Sequence, residues 1–397
     1  MGGSRVAITG LGCVCALGPD VPTCAEALFL GRKDRVAPVR FEDSYSPTSP
    51  VFQVASPLPV PSRWLKHGVS RTNSLALAAV REALADGGLT SSPGSLRVGV
   101  CMGTTVGSAL NSTRFYQGYL DRKEPDMSPV SRFLSNNPAL FIAREYGFSG
   151  PCQTVVNACS SGTDALGIGA SWIAAGICDV VVAGGADELS RVTYEGFASL
   201  MVTDDEMCKP FDRNRKGLNL GEGAAALLLE SEYSWRMRRK SPRGFVVGYG
   251  AACDAYHLTA PSPDGQGLRQ AIAYALETSK KASAEISFVN AHGTATLDND
   301  RVEAITLHEM LPGVPFLSTK GHTGHALGAA GAIEAVLTMI CLEKGRIPAS
   351  AGFSVADPQL PANPNASTKE IVGSCALSES LAFGGHNSVI VIERSND

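Results

Sequence analysis

A cysteine at the end of an apolar stretch is the first residue whose position suggests chemistry. Cys159 follows a strand-like run that ends at Val156, and small residues lead from it into a helical pattern that extends through Trp172. Free backbone N–H groups and the helix dipole favour an anion at such a turn. This setting predicts a thiol of lowered pKa that acts as a nucleophile, although a buried, inert cysteine fits the same pattern.

Two histidines later in the chain have a similar setting. His292 lies within Asn290–Thr296 and His325 within Lys320–Gly328, each after a strand-like segment and among Gly, Ala and Thr. Small neighbours leave room for a substrate beside an imidazole. A single histidine of this kind is more often a core or loop residue, but two of them after a candidate nucleophile favour a shared catalytic site.

Five stretches of the chain, spread over nearly its whole length, carry a resemblance to a known family. They are Ala158–Gly162, Ala183–Asp187, Asn290–Thr294, Lys320–His325 with its continuation to Glu334, and Ala382–Asn387. In this order they resemble the elongating β-ketoacyl-[acyl carrier protein] synthases and are similar to synthase II of bacterial fatty-acid synthesis. One of these stretches alone would be weak evidence, whereas the set is specific.

The resemblance implies a thiolase-like α/β fold, a duplicated α/β/α/β/α sandwich of five layers. The residue pattern agrees, because strands that are apolar throughout alternate with long helices, as in sheets covered on both faces. Val6–Cys13 weakly echoes Val246–Cys253, and Asn387–Glu393 resembles Asp179–Gly185. We therefore expect two similar halves.

The boundary between the halves is predicted at a basic stretch that contains Pro242. Residues 1–242 would form the N-terminal half, which carries the nucleophilic cysteine. Residues 243–397 would form the C-terminal half, which carries both histidines.

The predicted reaction is a decarboxylative condensation. Cys159 would take an acyl group from a carrier thioester, so that a difficult carbon–carbon bond formation is divided into two easier steps. A malonyl thioester would then lose CO2, and its enolate would attack the acyl group. The resemblance assigns His292 and His325 to this step, because neutral imidazoles can donate N–H bonds to the developing oxyanion.

Acyl transfer needs an oxyanion hole of its own. The backbone N–H of Cys159 is one donor, and the resemblance implies that of Phe383 as the other. In the family this Phe also gates access of the second substrate. The chain departs from the family pattern at Ala382, where Gly is usual, and at His386, where Thr is usual; the added methyl group restricts the backbone beside the hinge.

Lys320 and Glu334 are predicted to support the histidines. A nearby lysine favours the neutral form of an imidazole, and a glutamate in an apolar helix is costly unless it is paired. A structural ion pair fits the same residues. His322 replaces a residue that is usually non-ionisable in relatives, and no role is assigned to it.

Other polar residues in these stretches have less specific interpretations. Thr294 and Thr296 are predicted to bond the phosphopantetheine arm of a carrier, or else their own backbone. Asp300 and Glu303 are expected to cap a helix. A stretch matching a family loop, which contains Asp212, Arg213 and Glu222, is interpreted as structural.

Composition excludes several functional classes. The formal net charge of −4 over 397 residues argues against nucleic acid as the main partner. Eleven cysteines without CxxC pairs indicate reduced thiols in a cytoplasmic protein and neither a disulfide framework nor a metal site. No phosphate-binding or dinucleotide motif is present, so no bound cofactor is expected.

The N-terminus leads directly into a strand, and no segment is expected to insert into a membrane. The most apolar stretch, Ala326 to Leu342, is too short to span a bilayer and contains Glu334. We expect a buried helix there.

The implied partner is an acyl carrier protein bearing acyl and malonyl groups on phosphopantetheine. A basic cluster, Arg63, Lys66 and Arg71, could dock this carrier, although such charges are often only solvated. Relatives pair the strand before the cysteine across a two-fold axis, so a homodimer is expected, and a heterodimer with a related subunit is the alternative.

Three rival functions remain open. A non-catalytic partner subunit of the chain-length-factor type would share the fold but usually lacks the nucleophile. A thiolase would use a second cysteine near its C-terminal glycine loop, where this chain has Ala382 and Phe383, with Cys375 upstream in another context. A Cys-His hydrolase would need water at the acyl-enzyme.

The substrate is not determined by these patterns. Fatty-acid elongation, polyene assembly and polyketide synthesis all fit, and Val106, Ala109 and Leu110 are candidates for the lining of an acyl tunnel.

Overall fold

A computed structural model describes residues 5–34, 36, 49–64, 69–89, 94–105, 107, 113–128, 130–131 and 137–395. The strands are β1 (Val6–Val14), β2 (Val98–Gly103), β3 (Cys152–Val155), β4 (Val180–Asp187), β5 (Gly223–Glu230), β6 (Gly244–Cys253), β7 (Ile286–Asn290), β8 (Phe316–Leu317), β9 (Arg346–Ile347), β10 (Lys369–Glu370), β11 (Cys375–Ala382) and β12 (His386–Arg394). The helices are α1 (Val21–Phe29), α2 (Arg71–Gly87), α3 (Thr113–Leu120), α4 (Pro138–Tyr146), α5 (Ser161–Ala174), α6 (Arg191–Ser199), α7 (Glu232–Met237), α8 (Gln266–Ser279), α9 (Leu297–Met310), α10 (Lys320–Thr323) and α11 (Ala330–Lys344).

The main sheet repeats one strand arrangement twice. Its order is β3-β2-β4-β5-β1-β6-β12-β11-β7-β8. Counted inward from each end of the sheet, two parallel pairings are followed by two antiparallel ones. The halves meet where Val6–Ile8 of β1 pairs antiparallel with Gly244–Val246 of β6. This arrangement confirms the predicted duplication. It also makes β1 and β6, whose sequences weakly resemble each other, the equivalent first strands of the two halves.

The resemblance of Asn387–Glu393 to Asp179–Gly185 does not mark equivalent strands of the two halves. The strand that resembles β4 in sequence, β12, pairs antiparallel with the first strand of its own half. It therefore occupies the position that β5 has in the N-terminal half. The true counterpart of β4 is β11, which pairs in parallel with β7 as β4 does with β2. Strands β4 and β12 each contain a buried apolar run, Val180–Ala183 and Val389–Ile392, and composition alone does not separate them.

Two buried helices form the middle layer of the sandwich. Helix α5 contacts β2 and β4 of the first half as well as β12 and β6 of the second, and α11 contacts β5, β11 and β12. The outer layers include α2, which packs on β1 and β5, and α8, which packs on β6 and β12. The predicted five-layer thiolase-like sandwich is confirmed.

Helix α11 is buried from Ala330 through Leu342, as the apolar stretch predicts. It begins four residues later than the stretch because Leu327–Ala329 form a 3-10 turn. Helices α5 and α11 approach closely at Gly162, where an added Cβ would lie 2.7 Å from the backbone nitrogen of Ala332. The site residues at the start of each helix are therefore brought together by backbone packing.

The boundary between residues 1–242 and 243–397 remains a prediction. Within the described part of the chain, every helix is too short or too polar to cross a membrane.

Candidate active site

The cysteine turn is a strained connection between β3 and α5. Ala158 has a φ of 48°, in the left-handed region that residues with a Cβ rarely adopt. The hydroxyl of Ser161 holds this conformation, because it donates to Ala158 O at 2.6 Å and accepts from Asn157 N at 2.8 Å. Cys159 is thereby placed in the 3-10 turn Ala158–Ser160, which leads directly into α5.

The Cys159 thiol is buried and directly contacts an imidazole. Its Sγ lies 3.0 Å from His325 Nε2, and the backbone N–H of Phe383 donates to the sulfur. Burial raises the pKa of the Cys159 thiol to about 11, although the charge of Lys320 and the Phe383 N–H oppose this shift. The expected lowering of the thiol pKa is therefore wrong: desolvation outweighs the Lys320 charge and the Phe383 N–H, and the thiol keeps its proton at neutral pH.

His292 is held at the end of β7 by a carboxylate behind it. Glu303 accepts from the backbone N–H of His292 and, at 2.7 Å, from that of Gly293. The ring Nδ1 lies 3.1 Å from Lys320 Nζ. Since an ammonium group only donates, Nδ1 must accept, and the ring proton lies on Nε2. His292 therefore presents an N–H donor on the side opposite Lys320.

His325 follows α10, and two backbone hydrogen bonds fix its position. Its N–H donates to Asn219 O at 2.8 Å, and its carbonyl accepts from the Gly221 N–H at 2.9 Å. The two imidazole centroids are 5.2 Å apart and the rings are nearly perpendicular, at 85°. Burial lowers the pKa of His292 and of His325 well below the usual value, and Lys320 adds to both shifts. Both imidazoles are neutral at neutral pH, as the resemblance implied.

Lys320 and Glu334 form a buried ion pair, with 2% of each side chain exposed. Lys320 Nζ also donates to the carbonyl of His292 at 2.6 Å. Burial raises the pKa of Glu334 although Lys320 opposes the shift. This lysine thus joins the His292 loop to the centre of α11.

Two carboxylates that the sequence reading treated as helix caps have other roles. Thr296 occupies the N-cap position of α9. Asp300 accepts from Phe211 N at 2.6 Å and from Ala295 N at 3.1 Å, and burial raises its pKa to about 7. With Glu303, it holds loop backbone beside the site.

Glu379 of β11 is a further buried carboxylate that the sequence reading missed. Burial and the facing carboxylate of Glu303 raise the pKa of Glu379 well above its usual value. A proton on Glu379 removes the repulsion between the two carboxyl groups. An acidic residue within an apolar strand was the available signal.

The Phe383 loop connects β11 to β12 above the thiol. Gly384 and Gly385 have φ of 90° and 80°, which explains why the sequence has glycine at both positions. The Phe383 ring stacks on Phe197 of α6, with centroids 5.3 Å apart and planes at 13°. Ala382 is the last residue of β11 and pairs with His386 of β12.

The predicted residues line one cavity of about 250 Å³. Cys159, His292, His325 and Phe383 lie along it together with Thr294 and Thr296. The two threonine hydroxyls lie 2.9 Å apart and bond each other. Both threonines therefore lie on the wall of the same cavity as the thiol.

The thiol and both imidazoles lie close enough to share a metal ion, since their ligand atoms are within 4.8 Å of one another. The ammonium group of Lys320, 3.1 Å from His292 Nδ1, opposes a cation at this position. The geometry therefore favours chemistry by the side chains themselves.

Other residues singled out in the sequence lie away from this cluster. His322 is buried, with Nδ1 2.8 Å from Arg32 O, and burial lowers its pKa. Arg71 forms an ion pair with buried Glu222 at 2.6 Å, so its side chain is engaged within the fold. The side chain of Arg63, and Lys66, Val106, Ala109 and Leu110, lie outside the described residues.

The loop residues interpreted as structural fit that interpretation. Asp212 accepts from the backbone N–H groups of Ser354 and Val355, both at 2.7 Å. Glu222 accepts from Val54 N at 3.1 Å in addition to its pairing with Arg71.

Comparison with known proteins establishes the family. The beta-ketoacyl synthase N-terminal domain matches residues 3–234, and the beta-ketoacyl synthase C-terminal domain matches residues 243–354. The chain belongs to the beta-ketoacyl synthase family, and its class of activity is acyl transfer.

Three relatives illustrate the match. A putative mitochondrial 3-oxoacyl-[acyl-carrier-protein] synthase of Schizosaccharomyces pombe is 34% identical over 98% of this chain and 99% of its own length. The 3-oxoacyl-[acyl-carrier-protein] synthase 2 of Synechocystis sp. is 31% identical over 98% of each chain. A ketosynthase solved in complex with its chain length factor from Xenorhabdus doucetiae is 30% identical, with a TM-score of 0.88 over 99% of this chain and 98% of that one.

Proposed function

We propose that this chain extends an acyl group by two carbons through decarboxylative condensation with malonyl-[acyl carrier protein]. The observation that carries the proposal is the contact of 3.0 Å between Cys159 Sγ and His325 Nε2, beside a His292 whose tautomer is fixed by Lys320. A thiol, a base and an N–H donor thus meet in one cavity.

In the first step, His325 Nε2 accepts the thiol proton as Cys159 Sγ attacks the acyl thioester of the carrier. The backbone N–H groups of Cys159 and Phe383 stabilise the tetrahedral oxyanion. The bond from acyl carbon to the carrier sulfur then breaks, and the departing thiolate takes the proton back from His325. The products are an acyl-Cys159 thioester and a free carrier thiol.

In the second step, the malonyl carboxylate leaves as CO2, and its bonding electrons form a thioester enolate. The enolate oxygen accepts N–H bonds from His292 Nε2 and from His325, which presents an Nε2–H in its other tautomer. The enolate carbon attacks the acyl carbonyl, and the carbon–sulfur bond to Cys159 breaks. The thiolate takes up a proton from solvent, consistent with a pKa of about 11.

Lys320, Glu334, Thr294 and Thr296 have supporting roles in this proposal. The lysine keeps both imidazoles neutral and fixes the His292 tautomer, and Glu334 balances its buried charge. The two threonine hydroxyls bond the phosphopantetheine arm on its path through the cavity.

The partners we propose are an acyl carrier protein and a second subunit. Curated relatives carry the carrier in their names, and the Xenorhabdus ketosynthase was solved with a chain length factor. Here, Cys152 and Gln153 of the edge strand β3 are exposed, as is 62% of Val156. Such an edge is available for pairing with a second copy or with a related subunit.

A chain-length-factor role is the alternative, and the intact Cys159–His325 contact disfavours it. We further propose a compartment that keeps thiols reduced, such as the cytoplasm, because all eleven cysteines are free.

The proposal is tested by supplying the protein with octanoyl- and malonyl-[acyl carrier protein] and measuring CO2 and product by mass spectrometry. We expect CO2 and a β-ketodecanoyl carrier in equal amounts. Free octanoic acid without the longer product would indicate a hydrolase. Absence of both products would favour the non-catalytic partner, and butanoyl and dodecanoyl carriers test whether that absence reflects chain length.

A further inference from the structure

Asp164 is a buried carboxylate in the first turn of α5, and it collects donors from both halves of the molecule. Only 1% of the residue is exposed. Its donors are Asn157 Nδ2 at 2.9 Å, Ser160 Oγ at 2.9 Å, Tyr249 OH at 2.8 Å and Ser388 Oγ. Asn157 and Ser160 flank the nucleophile, so this carboxylate is part of the support of the cysteine turn.

His386 adds a contact of a different kind to this carboxylate. Its Nε2 lies 3.3 Å from Asp164 Oδ2, and 31% of its side chain is exposed. His386 is the first residue of β12, directly after Phe383, Gly384 and Gly385. The contact therefore joins the base of the Phe383 loop to the helix that begins beside Cys159.

Other attachments of the loop lead away from the cysteine turn, such as the stacking of Phe383 on Phe197 and the bond from Asn387 Nδ2 to Gly385 O at 3.0 Å. Its backbone bonds run from Gly384 N to Leu258 O at 2.8 Å and from Asp254 N to Gly385 O at 2.7 Å. A Cβ at Gly384 would meet nothing within 4 Å. The His386–Asp164 contact and the bond from Ser388 Oγ to the same carboxylate both tie β12 to the support of the cysteine turn, and His386 is the one nearer in the chain to Phe383.

The charges around the pair favour an imidazolium. The hydrogen bond to Asp164 raises the pKa of His386 although burial opposes the shift. Burial also acts to raise the pKa of Asp164, but its hydrogen bonds, beginning with that of His386, outweigh burial and lower it.

The other titratable groups facing the pair are Tyr249 and Cys253 of β6 and Cys101 of β2. Burial raises the pKa of Tyr249 and brings that of Cys101 to about 12. These two groups stay neutral across the pH range in which His386 titrates, and Cys253 is its cross-strand neighbour.

We propose that His386, paired with Asp164, is a positioning residue that holds the Phe383 loop against the cysteine turn and keeps the Phe383 N–H directed at the reacting sulfur. This inference rests on the proposed acyl transfer to Cys159. His386 touches neither substrate nor sulfur in this role, and acts through the backbone of the loop.

The proposal gives acyl transfer a specific pH dependence. A histidine whose pKa is raised in the folded state is fully charged, and its ion pair is fully present, when the pH lies below the usual histidine pKa. The ion pair is lost as the pH rises through the folded-state pKa. A neutral imidazole retains a weaker hydrogen bond. We expect the acylation rate to fall about fivefold across this transition, the effect of one partly exposed ion pair. The pKa values of Cys159, His292 and His325 lie outside that range.

The test is the single-turnover rate of acyl transfer to Cys159 from octanoyl-[acyl carrier protein], from about pH 6 to about pH 9. His386→Gln keeps a neutral donor and removes the charge, while His308→Gln changes an exposed histidine of α9 as the matched control. The wild type and His308→Gln should show the step. His386→Gln should lack this step and should react at the high-pH rate of the wild type, whereas an effect of Asp300, whose pKa is about 7, would appear in all three proteins and cancel in their ratios. The titration of His386, followed by NMR, should coincide with the step.

A His386→Gln variant that keeps the wild-type rate and the pH step would overturn the inference. The failure of the proposed function would look different, since even the wild type would then accept no acyl group. In that case the alkylation of Cys159 by iodoacetamide, followed by peptide mass spectrometry, still tests the role of His386. The ratio of wild-type to His386→Gln alkylation rates should exceed one at low pH and approach one at high pH, and a constant ratio would contradict the inference.

Discussion

At the residue scale, burial decides the protonation states that the site uses. It keeps a proton on Cys159 and removes the charge from His292 and His325, and Lys320 reinforces the second effect. A helix terminus exposed to water would have lowered the pKa of the thiol. In the mechanism that we propose, Cys159 is instead activated by the imidazole that it touches.

Replacement of His292 by alanine tests the division of roles between the two steps. The variant should still form the acyl-Cys159 adduct, because His325 and the oxyanion donors remain. Release of CO2 from malonyl-[acyl carrier protein] should fall by about 10²-fold or more through loss of an oxyanion donor. A variant that loses acylation while keeping decarboxylation would contradict this assignment.

The Lys320–Glu334 pair gives a prediction about stability. Lys320→Met leaves a buried glutamate without its partner and should lower the free energy of unfolding by about 3–5 kcal/mol. The double variant Lys320→Met/Glu334→Gln removes both charges and should recover most of this loss. Chemical denaturation of the wild type, Lys320→Met, Glu334→Gln and the double variant measures the coupling free energy between the two side chains. Additive losses would show that the two side chains do not interact.

Sequence reasoning found the residues whose chemistry is visible in their type, namely the cysteine, the two histidines and the Lys320–Glu334 pair. It misread Glu303 and missed Glu379, because these carboxylates act on backbone and on each other. Glu303 meets the His292 loop and Glu379 only when β7, α9 and β11 pack. The sign of the Cys159 pKa shift was misjudged for the same reason, since burial is a property of the folded chain.

At the element scale, the site depends on how closely α5 approaches α11. Gly162 faces backbone atoms of the α11 region, with Gly328 O 2.9 Å from the position of an added Cβ. The sequence predicted both helices from their apolar patterns. Strand β12 resembles β4 in sequence but occupies the position of β5 in the other half. Such patterns are limited in this way because strand order depends on pairing and not on composition.

Gly162→Ala should separate the two helices and move Cys159 away from His325. We expect a loss of about 1–3 kcal/mol in unfolding free energy from overpacking, together with slower acylation. Gly196→Ala in α6 is the matched control, since its Cβ would meet nothing within 4 Å. The control should be stabilised by roughly 0.5–1 kcal/mol. Thermal and chemical denaturation measure the stability of both variants, and acylation rates measure their activity. Equal stability and equal rates for the two variants would contradict the packing account.

At the scale of the whole molecule, a duplicated fold places its chemistry where the halves meet. The proposed nucleophile comes from the first repeat and both histidines from the second, and the equivalent strands β1 and β6 join the two halves of the main sheet. The resemblance and the alternating pattern predicted this architecture. The side of the molecule with the exposed β3 edge is the surface through which we propose that a second subunit pairs.

Val156→Lys should weaken that pairing, because it places a charge in the proposed interface. Val372→Lys is the matched control, since Val372 is 93% exposed in the loop before β11. Sedimentation analysis should show a dimer for the wild type and the control and a monomer for Val156→Lys. Equal behaviour of both variants would place the interface elsewhere.

The measurement that tests the central claim most directly is the intact mass of the protein after incubation with octanoyl-[acyl carrier protein], beside a Cys159→Ala variant. We predict an octanoyl adduct on the wild type alone, which malonyl-[acyl carrier protein] discharges as a β-keto product. An adduct of equal yield on Cys159→Ala would contradict Cys159 as the acylated residue. An adduct that water discharges to free acid without elongation would contradict a condensing enzyme.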